Sequence, residues 1–397
     1  MKRSRSRDPR NHANDDDHDH GDDDDFNDPH TDHGYDPFDH LFNRLTMPLE
    51  KPASTLAKTR DALVAFAAGH GVPQVSVSRR ISQYLRTERL FAAGGYRLYP
   101  LHNNSHFDDQ GSYYSRMCYS VDDLIVEGMN TCSWEDEVCR MKENRSDFSI
   151  AVLRGDLWAV GGGSNRDESY SGDALKSCER LEAGSSMWVN GPDMSTARKF
   201  LAVAVLADEV WAIGGCGCDG TVLSSCERLT VGGVWTPGPA MTAPWRYHQA
   251  AVLDGVLWVV DGESCETVHL DVSTQQWVRG PPLKHQRKYF SLAVFRGRLW
   301  AVGGMCGQQP LESTEYLSTD DDIWFPGPSM MGDRINFGLA EHDGQLWAVG
   351  GESYDQLGNE TLRSCEILAV HDDGRMFWFP GPKLPIPTCG LCCCVRP

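Results

Sequence analysis

Five arginines are spaced as though they shared one task. Arg145, Arg198, Arg287 and Arg334 each lie eight residues before the end of a short run, SIAVL, AVAVL, SLAVF and GLAEH, and Arg246 lies one position late before QAAVL. A guanidinium is planar, permanently charged and able to grip a carboxylate or phosphate through two parallel hydrogen bonds. Gathered around one opening, the five would form a positive site for an acidic peptide. The same spacing suits a structural use, each arginine bonding from one repeat to the next, and the sequence allows both.

A second set of side chains suits recognition. The stretch YRLYPLHNNSHFDDQGSYYSRMCYSVDD contains Tyr96, Tyr99, Tyr113, Tyr114 and Tyr119. Tyrosine offers a large contact area at low entropy cost, so Tyr96, Tyr113 and Tyr114 join the arginines as candidate partner-binding residues. The plainer reading is a tolerated surface insertion. Catalytic chemistry finds less support. His102, His106, His248, His269, His285, His342 and His371 follow no ligand spacing. Cys389, Cys392, Cys393 and Cys394 invite a metal, but consecutive residues of a strand face opposite ways, so buried apolar thiols are expected instead. No phosphate-binding glycine loop appears, because the Gly-Gly pairs end strands rather than open helices. No catalytic residue, cofactor or metal is expected.

A repeat positions these residues. LWAVGG occurs at Leu157–Gly162, Leu299–Gly304 and Leu346–Gly351, with VWAIGG ending at Gly215, LWVVDG at Gly262 and LFAAGG at Gly95. The last glycines lie 67, 53, 47, 42 and 47 residues apart, a period that marks a repeat architecture. Five of the twelve tryptophans sit in this motif: Trp158, Trp211, Trp258, Trp300 and Trp347. Trp134, Trp188, Trp235, Trp277, Trp324 and Trp378 come later in each unit, most of them leading into Gly-Pro. Each unit reads as four short strands: an apolar run, a tight turn, the six-letter motif, a variable loop, a third strand such as SSCERL, and a fourth such as VWTPGP. The turns Arg154-Gly155, Asp254-Gly255, Arg296-Gly297 and Asp343-Gly344 have hairpin chemistry. Four antiparallel strands repeated six times predict an all-β, six-bladed β-propeller. Antiparallel connection puts the variable loops and the arginine-bearing inter-blade links on one face.

The repeats resemble the kelch repeat. The marks are the Gly-Gly pair, the aromatic before it, the Trp of the fourth strand, and a Glu in the third strand that recurs as Glu127, Glu179, Glu227, Glu266, Glu315 and Glu366. Just before it, Cys178, Cys226, Cys265 and Cys365 take one repeat position. The fourth copy departs, with Asp261 for the first Gly, and the first copy carries the long insertion. Before the first copy stands the polar stretch SQYLRTER, a poor inner strand, whereas PIPTCGLCCCV follows the last Gly-Pro. Cys389–Val395 is therefore expected to pair into the first blade and close the ring, as kelch propellers often do. The resemblance implies peptide binding on the face of the links and variable loops, with arginine contacting acidic residues. The expected role is a protein-interaction scaffold for an acidic protein or peptide partner. The alternative is the substrate-recognition subunit of a ubiquitin ligase, with cullin-type components as partners, although residues 41–86 are too few for the BTB domain of such adaptors. A kelch-type enzyme is the third reading; the Tyr–Cys crosslink and paired histidines of the copper oxidases in that family find no match.

Composition bounds the remainder. The 397 residues carry a formal charge of −19, which does not suit nucleic acid or anionic lipid. Residues 1–40 hold thirteen Asp against five Lys or Arg, a share of −8, and few apolar side chains; a disordered Asp/His-rich tail is expected. STLAKTRDALVAFAAGHG predicts a short helix within 41–86 that links or docks, and the propeller is expected over 87–397. No apolar run reaches the roughly 20 residues of a membrane helix, and the basic start lacks the apolar stretch of a secretory signal. A cytoplasmic or nuclear protein with reduced thiols is expected.

Overall fold

The computed structural model describes residues 141–164, 173–355 and 358–396, apart from positions 184, 186 and 372, together with the strands Arg89–Tyr96, Cys118–Asp122, Ile125–Val126, Met129–Asn130 and Ser133–Glu135. The expected tail, 1–40, and helical segment, 41–86, lie outside the described residues.

Each repeat folds as an antiparallel four-stranded sheet. Blade A runs Ser149–Leu153, Asp156–Val160, Cys178–Leu181, Trp188–Asn190, and blade B Ala202–Leu206, Glu209–Ile213, Cys226–Leu229, Trp235–Gly238. Blade C runs Gln249–Leu253, Val256–Val260, Thr267–Asp271, Gln276–Arg279. Blade D runs Ser291–Phe295, Arg298–Val302, Thr314–Ser318, Ile323–Pro326, and blade E Gly338–His342, Gln345–Val349, Cys365–Val370, Met376–Pro380. The first two strands meet at turns whose two central residues both have positive φ, as at Asp254 (50°) and Gly255 (76°). That is the hairpin geometry matched to strand twist.

The described residues show five blades, each from one continuous stretch, where the repeat count predicts six. The remaining copy enters a composite sheet ordered Cys389–Arg396, Arg89–Tyr96, Cys118–Asp122, Ser133–Glu135. Its first strand comes from the far end of the chain. Cys392 faces Ala93 and Cys393 faces Ala92, the register in which Ala202 faces Ile213 and Val203 faces Ala212 in blade B.

The core lies between sheets. Second strands read as unbroken apolar runs because both faces are covered: Leu157, Ala159 and Val160 are fully buried and Trp158 nearly so. Trp158, Val160 and Cys178 of blade A pack with Val203, Val210, Leu229 and Trp235 of blade B. Equivalent clusters join B to C, C to D and D to E. The composite sheet shares one cluster with blade E, through Leu90, Ala92 and Leu391, and one with blade A, through Phe91 and Ala93.

This packing explains the recurrent Trp…Gly-Pro. A Cβ on Gly191, Gly238, Gly280 or Gly327 would come within 2.7–3.0 Å of the second-strand indole of its own blade. The next residue, proline, turns its carbonyl to the following blade. Pro192, Pro239 and Pro281 accept from Trp235, Trp277 and Trp324 Nε1 at 3.0 Å.

The composite sheet yields a test. Deleting Cys389–Pro397 strips Arg89–Tyr96 of its inner neighbour and exposes a strand edge, an invitation to aggregation. The truncated chain is expected to melt earlier and to precipitate. A soluble product with an unchanged melting temperature would remove the structural role assigned to that strand.

Candidate functional site

Every inter-blade link ends in a left-handed residue and begins, in four blades, with an ion pair. Arg145, Arg198, Arg287 and Arg334 are 0–2% exposed. Their guanidiniums meet Glu179, Glu227, Glu315 and Glu366 at 3.0, 3.0, 2.7 and 3.0 Å. Nη1 of each also donates to two carbonyls of its own blade. One is the first glycine of the Gly-Gly pair, Gly161, Gly214, Gly303 or Gly350; the other is Ser177, Ser225, Ser313 or Ser364, two residues before the Glu. The carboxylate in turn accepts backbone N–H groups from the link, such as Ser195 and Thr196 on Glu227. Burial alone would raise the Glu227 carboxyl, but the Ser195 hydroxyl and amide and Arg198 outweigh it, leaving it below the ordinary carboxylate range.

These contacts correct the sequence expectation for four arginines. Arg145, Arg198, Arg287 and Arg334 are not side chains presented to a partner; each fills core space and holds a link to its blade. Arg246 differs. Trp245 takes the arginine position in blade C and is 6% exposed, which leaves Arg246 exposed on the surface. The strand register shows that the whole unit is exchanged there. Ala212 faces Glu227 in blade B, but the matching Val259 of blade C faces Val268. The recurrent Glu is therefore replaced by Val268, and Glu266 falls outside the row. Likewise Thr267, facing Val260, takes the position expected for Cys265. In the composite sheet Ala92 faces Tyr119, and Thr388 stands in the arginine position. Glu127 lies outside the described residues, as do Tyr113, Tyr114 and the side chain of Tyr96.

The Gly-Gly pairs mark where blades meet. Gly161, Gly214, Gly303 and Gly350 have φ of 55–61°, and a Cβ there would lie 2.5–2.9 Å from the carbonyl of the next link's Arg198, Trp245, Arg334 or Thr388. The amide of the following glycine donates to that carbonyl, at 2.8 Å from Gly162 to Arg198. In blade C, Asp261 occupies the first position without positive φ and accepts from the Ser264 amide at 2.8 Å, closing the shortest of these loops.

Two residues past the arginine position the chain does reach an opening. Asp147, Phe200, Tyr247, Tyr289, Asn336 and Gly390 all adopt φ between 49° and 67°. The amides of Phe200, Tyr247, Asn336 and Gly390 donate to Asp147, Phe200, Tyr289 and Asn336 carbonyls at 2.9, 3.2, 3.0 and 2.6 Å, so neighbouring links are tied at four places around the mouth. All six line a cavity of about 200 Å³ between the first strands. Links and second-third loops share this face: Ser146, Lys199, Lys288 and Ile335 bridge to Gly163, Cys216, Met305 and Glu352.

The mouth is two-sided. Asp147, Asn336 and Gly390 are residue types that tolerate the left-handed region. Phe200, Tyr247 and Tyr289, on consecutive blades, are not, and bulky residues held there carry strain of order 1 kcal/mol or more each. Their rings touch, at 4.4 Å between Phe200 and Tyr247 and 5.0 Å between Tyr247 and Tyr289. Each follows a cation. Lys199 Nζ lies 5.7 Å from the Phe200 ring, Arg246 Cζ lies 5.4 Å from the Tyr247 ring, and Lys288 pairs with Glu263 at 2.7 Å. Burial, then Tyr289, push the Tyr247 hydroxyl up to about 12, so it stays a donor. Sequence inspection missed this half-ring because its signal, a cation then an aromatic, lies one step beyond the more conspicuous arginines.

Other groups are quieter. Burial pulls the wholly buried His248 down to about 4, leaving a neutral ring whose Nε2 donates to the Ile213 carbonyl at 3.1 Å. Burial pushes the Cys392 thiol up to about 12 and the Cys393 thiol well above its ordinary value. Among the described residues no three His, Cys, Asp or Glu side chains are grouped to hold a metal.

Sheets stacked in sequence around a lined central cavity define a β-propeller. Residues 286–331 match the family model of the Kelch motif, and with the repeated Gly-Gly, Glu and Trp positions the fold is a kelch-repeat propeller. The solved structure titled "Structure of YjhT" is similar, with a TM-score of 0.55 and 12% sequence identity over 72% of this chain and 97% of that one. A likeness at that identity speaks for the fold alone. No curated protein matches this chain in sequence.

The buried pair can be probed directly. Glu227→Ala leaves a buried guanidinium without its counter-charge and two link amides unpartnered, and is expected to cost about 3–5 kcal/mol. Arg198→Met with Glu227→Val, imitating blade C, is expected to cost well under the sum of its single changes; additive losses in a denaturant double-mutant cycle would deny that the pair acts as a unit. Asp147 supplies a pH test. Burial raises its carboxyl to about 6, against opposing effects of Ser146 and Lys199. A raised folded-state value means stability is lost as pH climbs from about 4 through 6. Asp147→Asn is expected to flatten that part of the profile and to gain at most about 3 kcal/mol above it, read from urea midpoints across pH.

Proposed function

We propose that this protein is an interaction scaffold that takes an acidic segment of a partner protein at the mouth of the cavity. The observation that carries this reading is the strained half-ring of Lys199–Phe200, Arg246–Tyr247 and Lys288–Tyr289. Strain at a surface opening is retained where it positions side chains for use. Tyrosine and arginine together are the side chains that dominate partner recognition. An incoming carboxylate would meet exposed Arg246 and the Tyr247 hydroxyl, while the ring faces take neighbouring apolar atoms. The composite sheet, in this reading, is the sixth blade that completes the ring behind the mouth.

The test is affinity capture from cell extract with the full chain, compared with Arg246→Glu and with Arg279→Glu on the outer strand of blade C. Partners held at the mouth are expected to be lost with Arg246→Glu, retained with Arg279→Glu, and weakened by salt, because exposed charges are screened. The melting temperature of Arg246→Glu is expected to stay near that of the parent, since the side chain is exposed. Partners that ignore the Arg246 change would overturn the reading. Recovery of cullin-type ligase components through another surface would favour the adaptor role.

A further inference from the structure

The inner edge of Arg89–Tyr96 is a strand-accepting surface, and the strand it accepts is tied to that edge by pairing and packing, with neither a connecting turn nor an Arg–Glu pair. Three features bear on its exchange. First, the links into blades A, B, D and E are fixed by a buried guanidinium on Glu and on two carbonyls. The link into Cys389–Arg396 has Thr388 instead, and Thr388 Oγ1 bonds only within its own link, to Ile386 O. Second, the following strand of every other blade is joined to its first strand by a two-residue turn. Arg89–Tyr96 and Cys389–Arg396 have no such connection, since nearly the whole chain separates them. Third, the link itself, GPKLPIPT, holds Pro382, Pro385 and Pro387. Proline favours extended backbone at itself and at the residue before it, so an extended path is open to this segment once Leu384 and Thr388 release their bonds to Arg363, Leu362 and Gly351.

What the strand would find elsewhere must match what it leaves. Cys389–Arg396 makes seven paired positions with Arg89–Tyr96, from Arg89 facing Arg396 to Tyr96 facing Cys389. It also packs closely on blade E, where any Cβ on Gly338 would collide with the Cys393 side chain. Alternation sets Cys392 and Cys394 toward blade A and Leu391, Cys393 and Val395 toward blade E. A surface with that register and those two faces exists on a second copy of this chain. We infer that two copies exchange Cys389–Arg396 reciprocally, each donating its last strand to the other's Arg89–Tyr96 edge. Reciprocal exchange closes with two-fold symmetry and keeps every ladder hydrogen bond, which is the low-cost route to a dimer. Each mouth in such a dimer takes its Gly390 corner, and the Cys392 and Cys393 lining, from the partner copy. The inference is independent of what the mouth binds.

The experiment mixes two full-length preparations bearing different tags, each isolated as monomer, at graded concentrations and at temperatures below melting. Exchange predicts mixed dimers captured through either tag, increasing with warming and concentration and persisting on dilution, because release requires the strands to leave again. The control is Ala93→Cys. Facing residues of an antiparallel pair lie about 4.5–5.5 Å apart at Cα, within disulfide reach, so the thiol introduced by this substitution is placed to bond Cys392 of the same copy. The oxidised variant is expected to lose mixed-dimer formation and to recover it on reduction, with disulfide location read by peptide mapping. Absence of mixed dimers from the parent at every condition would overturn the inference. So would dimers that form equally in the oxidised variant, which would place the contact on an outer surface, or only open-ended aggregates.

Discussion

A guanidinium and a carboxylate buried together at the start of a blade hold this structure in order. Neither could stay in the interior alone, because an unpaired charge there costs several kcal/mol. Together they meet five or more polar groups: the Arg takes two carbonyls and the Glu, and the Glu takes amides from the link. The consequence is geometric. The link into a blade, the glycine pair at the end of its second strand and the third strand are fixed to one another at a single point, and the first strand must begin there. The glycine pair then follows, since only a residue without Cβ lets the next link's carbonyl come so near.

Blade C shows what happens when the pair is absent. Trp245 for Arg, Val268 for Glu and Asp261 for Gly change together, and the vacated interior is filled by apolar contact: Trp245 and Val268 pack in one cluster with Trp211, Met241 and Trp277. A buried ion pair and a well-packed apolar cluster are two solutions to one junction. Mixing them would strand a charge. The displacement also moves the cation by one residue, so that blade C presents Arg246 outward where its neighbours present Lys199 and Lys288 in the same register. Structure and surface are thus coupled through one substitution.

The architecture was readable because its signals are periodic. Hexamers ending in Gly-Gly, tryptophans leading into Gly-Pro and x-Gly turns each report backbone or packing needs that recur with every blade, and the pairing of residues 389–396 with the first copy followed from one polar stretch, SQYLRTER, standing where an apolar strand was required. The arginines were readable as a set but not as buried. Periodicity says that Arg198 and Arg287 share an environment; it does not say whether that environment is solvent or a carboxylate. The recurrent Glu was seen separately, and Glu266 masked the break in the row, since only the strand register reveals that Val268 lies opposite Val259. The half-ring of Phe200, Tyr247 and Tyr289 escaped because conformation, not residue type, unites it: position 147 is Asp, 336 is Asn and 390 is Gly, and nothing in those letters says that all six share one left-handed turn.

That shared turn has a consequence for how such a molecule changes over time. Four hydrogen bonds, donated by the amides of Phe200, Tyr247, Asn336 and Gly390, hold the rim through backbone atoms alone, so they do not depend on which side chain is attached. Six positions can therefore vary one at a time, each altering the chemistry of the opening while the junctions beneath, with their charges and glycines, stay constant. The mouth behaves like interchangeable type set in a fixed frame: new recognition can be composed by single substitutions, without renegotiating the fold.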